Sequence, residues 1–293
     1  MIARKSVGDR FFDFLNALFM ICMIVITVYP FLYVIFASVS ESRLLVGHSG
    51  LLLFPKGFSL SAYQLVLRNP NIATGYQNTL FIIVLGTFLN LLLTSFGAYV
   101  LSRKNFKFKN IMMILIVFTM YFSGGMIPDY ILMKNLNLLD SVWCLILPAM
   151  LSAYNMIILK TFFSNLPSSL EESAYLDGAS HLVILIRIVL PLSTPVLATL
   201  SLFYAVWRWN AFNDALFYIS SSELFPMQLK LYQLVFNNMA LEISEQEGGG
   251  KSQLLSESLK AASIVFTTVP ILLVYPWLQR YFISGIMIGA VKG

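Results

Sequence analysis

The stretch EESAYLDGASHLVILIRIVLPLSTP, residues 171–195, places a compact acidic patch between two long apolar runs. Three of the 14 acidic residues of the chain lie within it, at Glu171, Glu172 and Asp177. Carboxylates are costly to bury away from water without partners. The patch is therefore predicted to lie outside the nonpolar environment that surrounds both apolar runs.

A short helix is predicted at the acidic patch. Ser168 precedes Glu171 by the S-x-x-E spacing of a capping box, so the helix is predicted to begin at Ser168 or Ser169. Carboxylates in the first turn also favour the positive end of the helix dipole. Gly178 is predicted to end the helix as an elbow. A second helical stretch is predicted to follow from His181.

The composition indicates an integral membrane protein. Hydrophobic residues make up 58% of the 293 residues and charged residues 11%, whereas soluble domains have about 45–50% and about 25%. The net charge of +5 does not indicate nucleic-acid binding, because the basic residues are scattered and cluster only at the ends of apolar runs. Cys22 and Cys144 each lie inside an apolar run, which favours packing over a disulfide or metal site.

Six charge-free stretches predict the membrane-spanning helices. Each is as long as the roughly 17–25 residues that a spanning helix needs. The runs are too long for barrel strands, and the first exceeds the apolar part of a signal peptide. We predict an all-α, polytopic membrane protein with a single domain over residues 1–293. Its helices are predicted at roughly 12–38, 76–101, 110–128, 141–160, 188–209 and 261–280.

The basic residues predict that both termini are cytoplasmic, because short cytoplasmic loops are enriched in Lys and Arg. Lys134 is the only basic residue between the third and fourth predicted helices. On this topology the loop 165–187 is cytoplasmic and the segment 210–259 faces outside. The basic residues that set this orientation are Arg4, Lys5 and Arg10 before the first helix, and Arg103, Lys104, Lys107 and Lys109 between the second and third.

The sequence shows no catalytic or metal-binding pattern. It contains no H-E-x-x-H, no G-x-S-x-G and no cysteine–histidine cluster. His48 and His181 lie in predicted loops, where solvated or packing roles are typical. Gly250-Lys251-Ser252 resembles the end of a phosphate-binding loop, but Glu245 stands where that loop needs glycine.

The predicted spans contain neutral polar residues and no central charge. Because proton-driven pumps usually need an ionisable relay in the membrane, this pattern favours another energy source or none. The neutral groups predict either helix-packing contacts or a path for a hydroxyl-rich solute such as a sugar. The candidate path residues are Asn78, Asn90, Thr94, Tyr154, Asn155, Asn210 and Asn213.

The acidic patch resembles a known signature. Glu172-Ser173-Ala174, followed at fixed spacings by Gly178, Ile188 and Leu190-Pro191, is similar to the signature loop of ATP-binding-cassette importer permeases, although Ser173 replaces an alanine. YQNTLFIIVLGTFLNLLLTSFGAYVLSR, RWNAFNDALFYISSSELFPMQLKLYQL and the C-terminal YFISGIMIGAVKG resemble carbohydrate permeases of the maltose-importer type. GGMIPDYILMKNLNLLDS resembles the subset for complex oligosaccharides, such as alginate or pectin fragments.

The resemblance implies a type I importer permease fold with a cytoplasmic coupling helix. It also implies a second homologous permease, a cytoplasmic ATPase dimer that binds the cofactors ATP and Mg, and an extracytoplasmic solute-binding protein that delivers an oligosaccharide. The chain itself is expected to bind no cofactor and no nucleic acid. The ATPase contact would comprise Glu171, Glu172, Ser173, Ala174, Asp177 and Gly178, and the binding-protein contact Phe225, Tyr232 and Phe236.

Two other functions are alternatives to an importer subunit. A secondary transporter or channel that works alone predicts internal repeats with paired broken helices, which are not evident. A membrane enzyme predicts a catalytic constellation, which is also not evident. The resemblance therefore favours a permease subunit of the bacterial cytoplasmic membrane, without a catalytic site of its own, that imports an oligosaccharide such as a polyuronate fragment.

Overall fold

The computed structural model describes residues 7–46, 50–234 and 256–290. Regular structure in these ranges is helical, apart from one isolated antiparallel bridge between Ser40 and Phe58. The chain divides into two compact units. One comprises Met1–Asn69 and Leu231–Val269, and the other comprises Pro70–Lys230 and Pro270–Gly293.

The first unit begins with a long apolar helix. Its helices are α1 (Val7–Ser38), α2 (Ser42–Val46) and α3 (Ser61–Arg68). Most side chains of α1 are exposed although nearly all of them are apolar, which suits a lipid environment rather than water. A small core forms where Ala37 and Leu45 pack with Leu52 and Ala261.

The second unit is built around the long helix α4, which packs chiefly against α8 and α12. Its helices are α4 (Pro70–Ser102), α5 (Lys109–Tyr121), α6 (Met126–Asn135), α7 (Trp143–Ile146), α8 (Ala153–Ser164), α9 (Ser168–Leu176), α10 (His181–Ile184), α11 (Leu190–Leu192), α12 (Thr194–Asn210) and α13 (Asn213–Tyr218). A π-helical turn, Leu185–Val189, joins α10 to α11, and a 3₁₀ turn covers Ser222–Leu224. Helix α14 (227–234) and helix α15 (Ser256–Ala290) each continue from one unit into the other.

Three helices in the described ranges are long and apolar enough to cross a membrane: Gly8–Ser38, Pro70–Ser102 and Glu257–Val274. Two bent pairs would raise the number to five. Helices α5 and α6 meet at 111°, and the segment His181–Leu192 meets α12 at 84°.

Three of the stretches expected as continuous helices are broken, and each break has a local cause. The expected helix 110–128 stops at Tyr121, and Gly125, with φ +85°, takes a left-handed backbone before α6. The expected helix 141–160 is interrupted over 147–152, where Pro148 has no backbone N–H to continue the helical hydrogen bonds. The expected helix 188–209 bends at Ser193 between two prolines.

Candidate functional site

The acidic patch forms the helix α9, as expected, but its N-terminus is built differently from the expectation. The N-cap residue is Pro167, and no side chain caps the helix. Ser168 is already the first helical residue, so the predicted capping box is not formed. The Glu171 carboxylate is instead engaged with a basic side chain of the chain itself.

The C-terminus of α9 has the elbow that the glycine predicted. Gly178 has a φ of +79°. The Gly178 amide donates to the Tyr175 carbonyl at 3.0 Å, and the Ala179 amide donates to the Ala174 carbonyl at 2.9 Å. This pair of hydrogen bonds is a Schellman motif, which needs a left-handed residue after the helix. The direction in which the chain leaves α9 is therefore fixed by a glycine.

Helix α9 has one face in the core and one face exposed. Ala174 is buried in the largest apolar cluster, so its small side chain serves packing within this chain. Glu172, Ser173 and Asp177 are exposed. Leu176 is 90% exposed, which is unusual for a leucine and was not singled out from the sequence. Together these residues form an exposed surface with both charged and apolar parts.

An ion pair anchors α9 to the end of α4. Arg103, one residue beyond α4, pairs with Glu171, and the two side chains are only 15% and 18% exposed. The Arg103 guanidinium also donates to the Tyr99 carbonyl at 3.2 Å and to Ser102 Oγ at 2.8 Å. Its Cζ lies 4.4 Å from the centroid of the Tyr99 ring. The sequence indicated Arg103 only as part of a basic loop, because the pairing joins positions distant in the chain.

His181 makes a second connection between the same elements. Its Nδ1 lies 2.6 Å from the Tyr175 hydroxyl and 3.4 Å from the Tyr99 hydroxyl. The histidine is thus placed between α9 and α4. The ion pair and this aromatic contact therefore connect α9 to the end of α4.

A second feature is a cavity of about 620 Å³ beside the break between α7 and α8. This is within the range of small-ligand sites. Ser152 caps α8 there, accepting from the Asn155 amide at 3.3 Å. The lining is largely aromatic and apolar with a few polar groups, formed by Pro148, Ala149, Leu151, Ser152, Tyr154, Asn155, Phe203, Tyr204 and Trp207.

The wall of the cavity is held by a buried polar layer behind it. Arg208, 3% exposed, donates to Asn90 Oδ1 at 2.7 and 3.0 Å and to the Leu145 carbonyl at 3.0 Å. Asn90 Nδ2 donates to the Ala149 carbonyl at 2.6 Å. In the sequence, Arg208 ends a charge-free stretch, and no local signal marks it as an interior residue.

Tyr204 extends this layer. Its hydroxyl lies 2.7 Å from Thr94 Oγ1 and accepts from the Ser152 amide at 3.3 Å. The Leu145 and Ala149 carbonyls and the Ser152 amide at the break are thus satisfied by side chains of α4 and α12.

The structure distributes the candidate path residues over several places. Tyr154 and Asn155 line the cavity, whereas Asn90 and Thr94 are fully buried in the layer behind it. Asn78 donates to the carbonyls of residues 223 and 225, at 2.6 and 3.2 Å, and so binds the segment that follows α13. Asn210 donates to the Val206 carbonyl within its own helix, and Asn213 is exposed at the start of α13.

The predicted binding-protein contacts are also separated. Phe225 is 6% exposed and packs in a core cluster with Ile82 and Leu229, so the expectation of an exposed contact at this position is not met. The backbone next to Phe225 is hydrogen-bonded to α4, and the Phe225 side chain therefore packs beside that helix. Tyr232 is 41% exposed in α14. Phe236 lies outside the described residues, as do His48 and the stretch 245–252.

Asp140 links the loop before α7 to the loop after α13. Its carboxylate accepts from the Ser220 and Ser221 amides at 3.0 and 2.8 Å and from Ser221 Oγ at 2.6 Å. These hydrogen bonds hold the pKa of the Asp140 carboxyl below its ordinary value, and the bond from the Ser221 hydroxyl contributes most. Asp140 itself has a left-handed backbone with φ +55°.

The remaining reactive groups do not assemble into a site. Within the described ranges, no three His, Cys, Asp or Glu side chains come together as metal ligands. Both cysteines are free thiols, and Cys144 is buried among apolar residues.

Comparison with known proteins gives the family. The model of the family described as binding-protein-dependent transport system inner membrane component matches residues 91–288. The chain belongs to this family. It is 44% identical over 285 residues to the polygalacturonan/rhamnogalacturonan transport system permease protein YtcP of Bacillus subtilis, covering 97% of this chain and 99% of that protein.

Two further relatives extend this finding. The arabinooligosaccharides transport system permease protein AraQ of Halalkalibacterium halodurans is 29% identical over 272 residues, covering 92% of each chain. A chain in the crystal structure of a bacterial ABC transporter involved in import of the acidic polysaccharide alginate is 31% identical, with a TM-score of 0.85, and covers 96% of this chain and 99% of that one.

The family resemblance drawn from the signature loop is therefore confirmed. The description of the binding-protein-dependent family places its members in the inner membrane, and these members are transport components rather than enzymes. The helical architecture of the described residues and the long apolar helices agree with a permease fold.

Proposed function

We propose that the chain is one transmembrane subunit of an ATP-driven importer that carries an acidic oligosaccharide across the cytoplasmic membrane. The observation that supports this most is the exposed helix α9, which carries the family signature and is anchored to the end of a spanning helix by Arg103 and Glu171. A second, homologous permease, an ATPase dimer and a solute-binding protein would complete the complex. ATP and Mg would bind at the ATPase.

Helix α9 would be the coupling helix that inserts into the ATPase. Its exposed Glu172 offers a charge for a basic residue of the ATPase, and Leu176 offers an apolar side chain that is otherwise uncovered. Exposed apolar surface of this kind usually serves a partner. The elbow at Gly178 would keep this surface in a fixed orientation.

Six membrane crossings account for the elements described. They would be α1, α4, the pair α5–α6, the broken pair α7–α8, the segment from α10 to α12, and α15. The Arg103–Glu171 pair places α9 at the same end of α4 as the basic loop that contains Lys104 and Lys107. Because basic loops favour the cytoplasm, α9 and both termini would be cytoplasmic.

The substrate class is inferred from relatives and from the cavity. The relative with 44% identity is named for polygalacturonan and rhamnogalacturonan, and the structural neighbour for alginate, all of which contain uronic acid units. The aromatic side chains Tyr154, Phe203 and Trp207 offer flat apolar surfaces for sugar rings, and Ser152 and Asn155 offer hydrogen bonds. An oligogalacturonide is therefore the substrate to test first.

The experiment is ATPase activity of the complete complex in lipid nanodiscs with a loaded solute-binding protein. Glu172→Lys is expected to abolish stimulation and to weaken retention of the ATPase, because losing one charge-paired contact typically costs about 2–5 kcal/mol. Lys160→Glu is the matched control, since it also reverses a charge, in α8 rather than in α9. Normal stimulation and normal retention with Glu172→Lys would refute the role of α9.

A further inference from the structure

Arg208 is a buried cation with neutral partners. Its hydrogen bonds go to Asn90 Oδ1 and to the carbonyls of Leu145, at 3.0 Å, and Ile146, at 3.4 Å. Amide and carbonyl oxygens satisfy the donors of the guanidinium but do not cancel its charge. The interior of the second unit therefore contains a positive charge that these neutral oxygens do not cancel.

The space for this charge is built into α4. A Cβ atom on Gly86 would collide with the Arg208 guanidinium, so only glycine leaves room there. Burying a charge that is not matched by an opposite charge is costly. A chain that needed only to hold the break between α7 and α8 could use neutral donors at this position.

The charge lies next to residues that line the cavity. Arg208 Cζ is 5.9 Å from the centroid of the Trp207 ring, and Trp207 lines the cavity. Asn90, which Arg208 binds, also donates to the carbonyl of Ala149, another residue that lines the cavity. An anionic group in the cavity would thus lie close to a positive charge across a region of low dielectric constant, where such attraction is strong.

We propose that Arg208 is a specificity-determining residue that makes this cavity favour carboxylate-bearing saccharides over neutral ones. The inference rests on the proposed function and adds to it a residue of this chain that selects the charge of the substrate. Arg208 acts through its charge from behind the wall and need not touch the sugar.

The test compares three variants in the complete complex, reconstituted in vesicles with the binding protein saturated with an oligogalacturonide. Arg208→Gln removes the charge, Arg208→Lys keeps it without the forked geometry, and the exposed Arg187→Gln is the matched control. Initial uptake rates are measured against substrate-loaded binding protein, and a fully methyl-esterified oligogalacturonide of the same length serves as the neutral substrate. Each rate is divided by the wild-type rate for the same saccharide, so the preference of the binding protein cancels.

With Arg208→Gln, the uptake rate for the acidic saccharide relative to wild type is expected to fall by roughly tenfold, as expected for one lost charge interaction in a protein interior. Arg208→Lys is expected to stay within a few-fold of wild type, and the neutral ester is expected to be carried equally by both variants. If Arg208→Gln and Arg208→Lys lose activity together, or with both saccharides alike, the residue acts only by packing and the inference is wrong. If the wild-type complex carries no acidic oligosaccharide, the proposed function itself fails.

Discussion

Breaking the ion pair between Arg103 and Glu171 is expected to loosen α9 from the end of α4. The two side chains are 15% and 18% exposed, so the pair lies between fully exposed pairs, worth about 0–1 kcal/mol, and fully buried ones, whose breaking costs about 3–5 kcal/mol. We expect a coupling energy of about 1–2 kcal/mol. Arg103→Ala is expected to have the larger single effect, because Arg103 also stacks on Tyr99 and binds Ser102.

The measurement is hydrogen exchange of the amides of residues 168–178 in the assembled complex without nucleotide. A loss of about 1–2 kcal/mol corresponds to exchange that is about 5–30 times faster in this segment. Arg103→Ala, Glu171→Ala and the double variant form a cycle that isolates the pairwise interaction. A coupling energy near zero, or faster exchange spread over α4 and α12 as well, would refute the idea that this pair anchors α9.

Three further outcomes follow from the geometry. Gly178→Val is expected to reduce substrate-stimulated ATPase activity more than Gly178→Asn, because φ is +79° and a Cβ there meets no other atom, so only backbone strain of about 1–2 kcal/mol acts; equal activities would argue against a left-handed elbow. Gly86→Ala is expected to displace the Arg208 guanidinium and reduce uptake, whereas Gly97→Ala, whose Cβ meets only a flexible methionine, is the milder control, and the reverse order would contradict the packing. The pKa of Asp140 is lower in the folded chain than its unfolded-state value of about 4, so the ionised carboxylate stabilises the fold above that value. This stabilisation is lost as the pH falls through the lower folded pKa, so the unfolding temperature of Asp140→Asn should depend less on pH between about 7 and 3 than that of the wild type. Parallel curves would refute this.

Much of the helical layout is present in the sequence because charge and turn chemistry are local. The charge-free runs that became α1, α4 and α15 are recognisable from length alone, since a bilayer needs a minimum apolar length. The elbow at Gly178 was also predictable, because a left-handed residue after a helix favours glycine. The capping box predicted at Ser168 is absent because Glu171 forms an ion pair with Arg103 instead, a tertiary contact that the local sequence does not show.

The candidate cavity was less predictable because it depends on contacts between distant positions. Pro148, which has no backbone N–H, was the available signal in the apolar run 141–160 for the break between α7 and α8, and Ser152 was the signal for the start of α8. Nothing local showed that Arg208 would be buried, because its partner Asn90 is on another helix. Phe225 was expected outside for a similar reason, since its packing partners also lie elsewhere in the chain.

We propose that this chain imports an oligosaccharide with energy from ATP hydrolysed by a partner. The direct measurement is uptake of a labelled oligogalacturonide into vesicles that contain the complete complex, with ATP at the ATPase side and the loaded binding protein at the other side. We predict uptake that requires both ATP and the binding protein and that continues when ionophores collapse the proton and sodium gradients, since the six predicted spans contain no central charge. Uptake that continues without ATP, or that stops with the ionophores, would contradict the account and favour a secondary transporter.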